Sequence, residues 1–180
     1  YLRGPRGAGF LYVSDRVLSR GYEPLFPDLR GADWVAPDMY QPAPDAKRFE
    51  TWEFAWGLVR GTGEAARYAL DIGIEPIRDR AWKLADHLRS LLNKHDKVTV
   101  LDRGEILGAT VTASVDGWAP TDLVRELREH GINTTGQEGI DAIIDYTQKG
   151  VDGSLRISPH YFNTEDELSV FISSLDEITR

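Results

Sequence analysis

The stretch from Leu107 to Val115 alternates cleanly between apolar and small polar residues. Successive side chains of a strand point to opposite faces of a sheet, so this pattern predicts a strand with one apolar face. A strand that is half-buried in this way is typical of an antiparallel sheet whose other face is polar. The chain must therefore supply a second layer to cover the apolar face, which limits the fold to layered architectures.

Helices predicted before and after this strand in the sequence can supply that layer. A long helix is predicted from Pro76 to about Lys94, and a second one is opened by Pro120 and closed by Gly131. A capping box over 164–167, with threonine at the cap and glutamate three residues on, predicts a C-terminal helix. Weaker strand patterns lie between the helices, over 97–101, 132–135, 140–144 and 155–158. We therefore expect a linking helix over 76–94 and a small α+β domain over 95–180.

The first part of the chain does not form a comparable unit. A basic loop with three glycines leads into Phe10–Val13, an apolar run that predicts a buried strand. Five prolines break up residues 14–50, and a helix is predicted over 51–72. One strand and one helix cannot build a core, because a sheet needs further strands. Residues 1–75 are therefore expected to be part of a larger domain.

Composition narrows the function classes. The formal net charge is -8 and the pI is near 5.0, which argue against nucleic-acid binding and against an anionic membrane surface. No stretch has the length of a transmembrane helix, and the default expectation is a cytoplasmic protein. The four histidines are scattered without metal-ligand spacing, so no metal site is predicted. Cysteine is absent, which excludes disulfides and a thiol nucleophile in this chain.

Arg156 is the most informative single candidate residue. It lies on the predicted strand 155–158, where leucine and isoleucine point to one face and Arg156 and Ser158 to the other. An arginine aimed away from the core can bind a carboxylate with its bidentate fork, or it can pair with a surface acid. His160 could act as an acid or base, although a single histidine more often serves packing. Glu53 could bind a cation or an arginine, although a solvated carboxylate at a helix start is the simpler interpretation.

Three segments resemble the class V aminotransferases, a family of fold-type I enzymes that use pyridoxal 5'-phosphate (PLP). Arg3–Val13 resembles the segment just after the cofactor-binding lysine, and Arg48–Glu53 is similar to the segment before the long helix of that family. Leu155–Leu168 resembles the C-terminal signature. The similarity is greatest to the isopenicillin-epimerase-like branch, which includes the carbon–sulfur lyase of ergothioneine biosynthesis.

The resemblance implies that this chain is the C-terminal part of a longer subunit. Residues 1–75 would end the PLP-binding large domain, and the cofactor-binding lysine would directly precede Tyr1, in an N-terminal half outside this chain. Arg156 would bind the α-carboxylate of an amino acid substrate. The family builds its site across a homodimer. Arg3 and Gly4 would contact the cofactor, and Thr51, Trp52 and Glu53 would approach the cofactor phosphate of the partner subunit. Many relatives have Gly-Thr where this chain has Trp52-Glu53, so a hydroxyl contact to the phosphate is in doubt there.

The family implies that PLP acts as an electron sink for the α-carbon of the substrate. Desulfurases of the family carry a persulfide-forming cysteine in the small domain, whereas the matching region here reads Asn133-Thr-Thr-Gly-Gln137. That departure leaves a lyase, an aminotransferase or an epimerase, with a C–S lyase or an aminotransferase favoured. The alternative is a non-catalytic binding or regulatory domain that keeps the same fold.

Overall fold

The computed structural model describes residues 2–180, which form two compact units, Leu2–Asp71 and Ile72–Arg180. The helices are α1 (Asp15–Leu18), α2 (Trp56–Ile72), α3 (Ile74–Leu92), α4 (Pro120–Glu129), α5 (Ile143–Lys149) and α6 (Glu165–Ile178). The strands are β1 (Ala32–Ala36), β2 (Met39–Pro42), β3 (Val98–Val100), β4 (Val111–Val115), β5 (Thr135–Glu138) and β6 (Gly153–Ile157). Short 3-10 turns occupy Ala46–Phe49 and Gly139–Ala142. None of the helices in this described part is long and apolar enough to cross a bilayer.

The second unit is built on a four-stranded antiparallel sheet with the order β3-β4-β6-β5. Its register places Thr112 of β4 and Thr135 of β5 opposite Arg156 of β6, one on each side. Residues directly opposite in an antiparallel sheet point to the same face. The three side chains therefore share one face, here called the outer face.

The inner face of the sheet carries the hydrophobic core. Alternate residues Val111, Ala113 and Val115 of β4 are buried, as the alternation in the sequence predicts. The strand begins at Val111, and residues 107–110 belong to the preceding connection, so the predicted strand was too long at its start. The long helix α3 lies within the second unit and contributes to its core. The core comprises Leu84, Ala85, Leu88, Leu92, Val111, Ala113, Val115, Leu123, Leu127, Leu155, Ile157, Leu168, Phe171 and Leu175.

The strand predicted over Ile140–Ile144 was wrong, since this segment is a 3-10 turn followed by α5. A capping box starts the turn, in which the Glu138 backbone N–H donates to Asp141 Oδ2 at 2.9 Å. The apolar side chains of Ile140 and Ile144 are exposed, so the apolar residues of this segment do not mark the buried face of a strand. The C-terminal capping box is confirmed, with Thr164 at the N-cap of α6 and Glu167 reaching back to it.

The first unit contains the hairpin β1-β2 and the helix α2. The buried strand predicted at Phe10–Val13 was wrong: the run is irregular, and Phe10 is 89% exposed. No strand within residues 2–180 pairs with it. The proline-rich segment is tied together by Arg48, whose buried guanidinium donates to the carbonyls of Ala43 and Tyr22 at 2.9 and 3.2 Å. The predicted helix over 51–72 starts later, at Trp56.

Candidate functional site

Arg156 lies on the outer face near the C-terminal end of β6, and its side chain is exposed while Leu155 and Ile157 are buried. Within residues 2–180 its guanidinium has no hydrogen bond and no ion pair with an acidic residue. Arg156 is therefore not a surface arginine that pairs with an acidic side chain of residues 2–180. An exposed guanidinium with five donors is suited to bind an incoming carboxylate through a bidentate pair.

A buried hydrogen-bond network leads from α3 to Thr112, which lies opposite Arg156 on the outer face. The hydroxyl and the backbone N–H of Thr112 donate to Asp102 Oδ1 at 2.6 and 2.9 Å. Asp102 Oδ2 accepts from Arg89 Nε at 2.8 Å, and both side chains are less than one-tenth exposed. The sequence did not predict this hydrogen-bond network. The polar position of Thr112 in the alternating strand was visible, but nothing in the sequence pairs it with Asp102.

The other end of the outer face is covered by α5. Tyr146 of this helix is buried, and its hydroxyl lies 2.7 Å from Ser154 Oγ and 3.3 Å from Gln137 Oε1. Ser154 precedes Arg156 by two residues on β6 and therefore points to the same face. The outer face is thus closed at Ser154 and open at Arg156.

His160 follows β6 and is buried. Its ring stacks on Phe162 with centroids 4.8 Å apart, and its Nδ1 accepts from the Tyr161 backbone N–H at 3.0 Å. These contacts support the packing interpretation over a role as an acid or base. Among the described residues, no group of three or more His, Cys, Asp or Glu side chains is placed to hold a metal ion.

A cavity of about 470 Å³ opens where β6 ends and α6 begins. The Oγ1 atom of Thr134 is buried at its wall without a hydrogen-bond partner in the described part of the chain. Ser158 lines the cavity but Arg156 does not, so the cavity lies beside Arg156 rather than around it. The other lining residues are His130, Gly131, Ile132, Asn133, Ile157, Pro159, Asn163, Asp166, Glu167, Leu168, Val170 and Phe171.

The opening loop lies against α2 in the first unit. Arg3 has a positive φ of 60° and places its guanidinium 5.4 Å from the ring centroid of Tyr68, within cation–π range. A Cβ added at Gly4 would lie 3.6 Å from Ala65 Cβ, in ordinary van der Waals contact. The loop is therefore held by the helix as well as by its own glycines.

Thr51, Trp52 and Glu53 lie in an exposed segment just before α2. The Thr51 hydroxyl donates to the Glu53 carbonyl at 3.3 Å, and the Trp52 backbone N–H donates to Asp28 Oδ1 at 2.9 Å. A phosphate group can accept hydrogen bonds from the Thr51 hydroxyl and the Trp52 indole N–H. The Glu53 carboxylate repels a phosphate, so these residues fit a phosphate through Thr51 and Trp52 alone.

The chain is similar to several curated proteins whose names differ in the reaction. It is 25% identical to a probable cysteine desulfurase of Methanothermobacter thermautotrophicus over 97% of this chain and 44% of that protein. It is 29% identical to isopenicillin N epimerase of Streptomyces clavuligerus, over 99% of this chain and 45% of that protein. It is also 29% identical to a probable hercynylcysteine sulfoxide lyase of Mycobacterium tuberculosis, over 97% and 42% respectively. The chain thus spans less than half the length of these relatives.

The fold agrees with that of solved structures. The apo cysteine desulfurase of Thermococcus onnurineus superposes with a TM-score of 0.86 at 24% identity, over 99% of this chain and 44% of that one. This likeness confirms the predicted fold, which is that of the C-terminal part of fold-type I enzymes. The model of the family "Aminotransferase class-V" matches residues 2–171. Pyridoxal phosphate is the cofactor of that family, which confirms the cofactor prediction at the family level. The chain belongs to the class V aminotransferases.

Proposed function

We propose that this chain is part of a PLP-dependent enzyme that acts on an α-amino acid, as a C–S lyase or an aminotransferase. The observation that carries the proposal is the open guanidinium of Arg156, which is exposed and has no partner within residues 2–180. In a family that acts on amino acids, such a group supplies the anchor that every substrate shares, its α-carboxylate.

The residues of this chain would bind and orient rather than carry out covalent chemistry. Arg156 would bind the α-carboxylate and so fix the direction of the substrate's bonds at the α-carbon. Thr51 and Trp52 would donate hydrogen bonds to the cofactor phosphate of the partner subunit. Arg3 and Gly4 would contact the cofactor from the opening loop. Bound PLP supplies an electron sink for the α-carbon.

A persulfide-forming desulfurase is not proposed, although several relatives carry that name. Persulfide chemistry requires a thiolate, and none of the 180 residues is cysteine. The region that would carry the thiol reads Asn133-Thr-Thr-Gly-Gln137 instead, and its last three residues lie in β5. Similarity to the probable hercynylcysteine sulfoxide lyase supports the lyase reaction, whereas the family name supports the aminotransferase reaction.

A homodimer with a shared active site is part of the proposal. The hairpin β1-β2 places Trp34 opposite Tyr40, and both side chains are exposed, as is Trp52 before α2. Exposed aromatic side chains of this kind are enriched at protein interfaces. Sedimentation of the purified protein should show two copies of the subunit, and a monomer would contradict this part of the proposal.

Product analysis tests the reaction class. The protein purified with PLP should change its visible absorbance when S-substituted L-cysteines are added. A lyase releases a thiol, pyruvate and ammonia from them over many turnovers with no added amino acceptor. An aminotransferase turns over repeatedly only when a 2-oxo acid is added to accept the amino group. If no amino acid changes the spectrum, the enzyme proposal fails and the non-catalytic binding domain is favoured.

A further inference from the structure

We propose that Thr112, held in place by Asp102 and Arg89, is a positioning residue for Arg156 that strengthens its binding of a carboxylate. The inference rests on the proposed function, because it assigns a neighbour to the guanidinium that binds the substrate. It concerns only residues of the second unit.

The backbone pairing places the two side chains close together. The Thr112 carbonyl accepts from the Leu101 N–H at 2.8 Å, and the Thr112 N–H donates to Asp102 Oδ1 at 2.9 Å. Both backbone groups of Thr112 therefore face β3 and the residues after it, and neither faces β6. Thr112 and Arg156 thus form a pair without mutual backbone hydrogen bonds, the arrangement in which opposite Cα atoms are only about 4.5 Å apart.

The side chain of Thr112 has one fixed orientation. Its hydroxyl donates to Asp102 Oδ1 at 2.6 Å, so the hydroxyl proton points at Asp102. A hydroxyl without such a partner would rotate to suit its surroundings. Because its hydroxyl is bound to Asp102, Thr112 keeps one side-chain rotamer on the outer face, opposite Arg156.

The anchor behind Thr112 is rigid as well. Arg89 Nη2 donates to the carbonyls of Gly108 and Thr110 at 2.7 and 3.0 Å while its Nε holds Asp102. One buried arginine therefore fastens both the start and the end of the connection between β3 and β4. A long arginine side chain loses rotamer freedom when it binds a ligand. A fixed neighbour restricts the rotamers of Arg156 before binding, so less conformational entropy is lost when the ligand binds.

The test uses variants of Thr112 and a minimal carboxylate. The protein purified with its cofactor is labelled with 15N-arginine, and the Arg156 resonances are followed during titration with acetate or with neutral acetamide. Thr112→Val keeps the shape but removes the hydroxyl and with it the Thr112–Asp102 hydrogen bond that fixes the side chain. It should weaken acetate binding by about threefold to tenfold. Thr112→Ser should restore the affinity, and acetamide binding should not change in any variant.

Ser114→Ala is the matched control, because Ser114 lies on the same face of β4 but opposite Thr99 instead of Arg156. It should leave acetate binding unchanged. Asp102→Asn should weaken acetate binding as Thr112→Val does. If that variant fails to fold, the Thr112 series decides the question alone.

A double-mutant cycle distinguishes the positioning role of Thr112 from the carboxylate-binding role of Arg156. For the Arg156→Ala background the protein is labelled uniformly with 15N, and the backbone amide at position 156 is the probe. In this background Thr112→Val should have no further effect on acetate binding. An equal loss in both backgrounds would overturn the positioning role, as would unchanged acetate affinity in Thr112→Val with the parent arginine. If Arg156→Ala itself leaves acetate binding unchanged, the proposed function fails instead.

Discussion

Arg89 of α3 and Asp102 after β3 form a buried ion pair, with Arg89 Nε 2.8 Å from Asp102 Oδ2 and side chains 8% and 9% exposed. The remaining donors and acceptors of the pair are engaged, because Arg89 binds backbone carbonyls and Asp102 binds Thr112. A buried pair in which every polar group is satisfied becomes costly when one member is removed. The pair is therefore a sensitive point of the second unit.

Arg89→Met should destabilise the fold by about 3–5 kcal/mol, since it leaves the Asp102 carboxylate buried without its counter-ion. The free energy of unfolding from urea titration measures the effect. Arg78→Met is the matched control on the same helix, because Arg78 pairs with Asp79 in an exposed position. That change should cost at most about 1 kcal/mol, and equal losses in the two variants would contradict the structural role of the buried pair.

Acid should remove one stabilising contact of α6. Arg80 donates two hydrogen bonds to the Glu165 carboxylate, at 2.6 and 2.9 Å, and this pairing lowers the pKa of Glu165 to about 2. A pKa below its ordinary value of 4.5 means that the contact stabilises the fold above about pH 4.5 and is lost as the pH falls towards 2. Glu165→Gln should therefore lower the melting temperature at pH 7, and the difference from the parent should shrink as the pH falls to 2. A constant difference would contradict this linkage.

The core on the inner face of the sheet predicts unequal effects along α6. Leu175→Ala should destabilise the second unit by about 2–5 kcal/mol, because this leucine is fully buried. Val170→Ala on the same helix should cost far less, since Val170 is 56% exposed. Chemical denaturation of both variants provides the comparison, and a larger loss for Val170→Ala would show that the helix faces were assigned the wrong way round.

Gly153 at the start of β6 predicts a steric effect. A Cβ at this position would lie 2.3 Å from the carbonyl oxygen of Gln137 on the neighbouring strand, so the backbone would have to move. Gly153→Ala should cost about 1–3 kcal/mol of unfolding free energy, as overpacked sites do. At Gly108 an added Cβ meets nothing within 4 Å, so Gly108→Ala should be neutral or slightly stabilising. Equal effects would contradict the tight pairing of β5 with β6.

Periodic patterns in the sequence identified the elements that bury their apolar faces against other residues of the second unit. The alternation through Val111 and Val115, the caps of α6 and the face of α3 all follow local rules, and the structure contains each of them. The orientation of Arg156 also followed from alternation, because Leu155 and Ile157 are buried on the opposite face.

Other features depend on contacts that no local pattern encodes. Phe10–Val13 has the composition of a buried strand, yet the side chain of Phe10 is exposed in this chain, so composition alone misled. The hairpin β1-β2 was hidden by the prolines around it, which suggested an irregular segment. The ion pair of Arg89 with Asp102 joins residues 13 positions apart across two elements, and only the folded backbone brings them together.

The central claim is that Arg156 binds the α-carboxylate of the substrate. Arg156→Ala in the protein purified with PLP should weaken amino acid binding by about tenfold to 150-fold, the range for a hydrogen bond to a charged group. Arg156→Lys should restore part of the affinity through its charge but not through its bidentate geometry. The dissociation constant for L-cysteine and for its carboxamide, read from the visible absorbance, measures both effects. We expect only the carboxylate form to lose affinity in Arg156→Ala, and equal affinity of that variant and the parent for L-cysteine would contradict the claim.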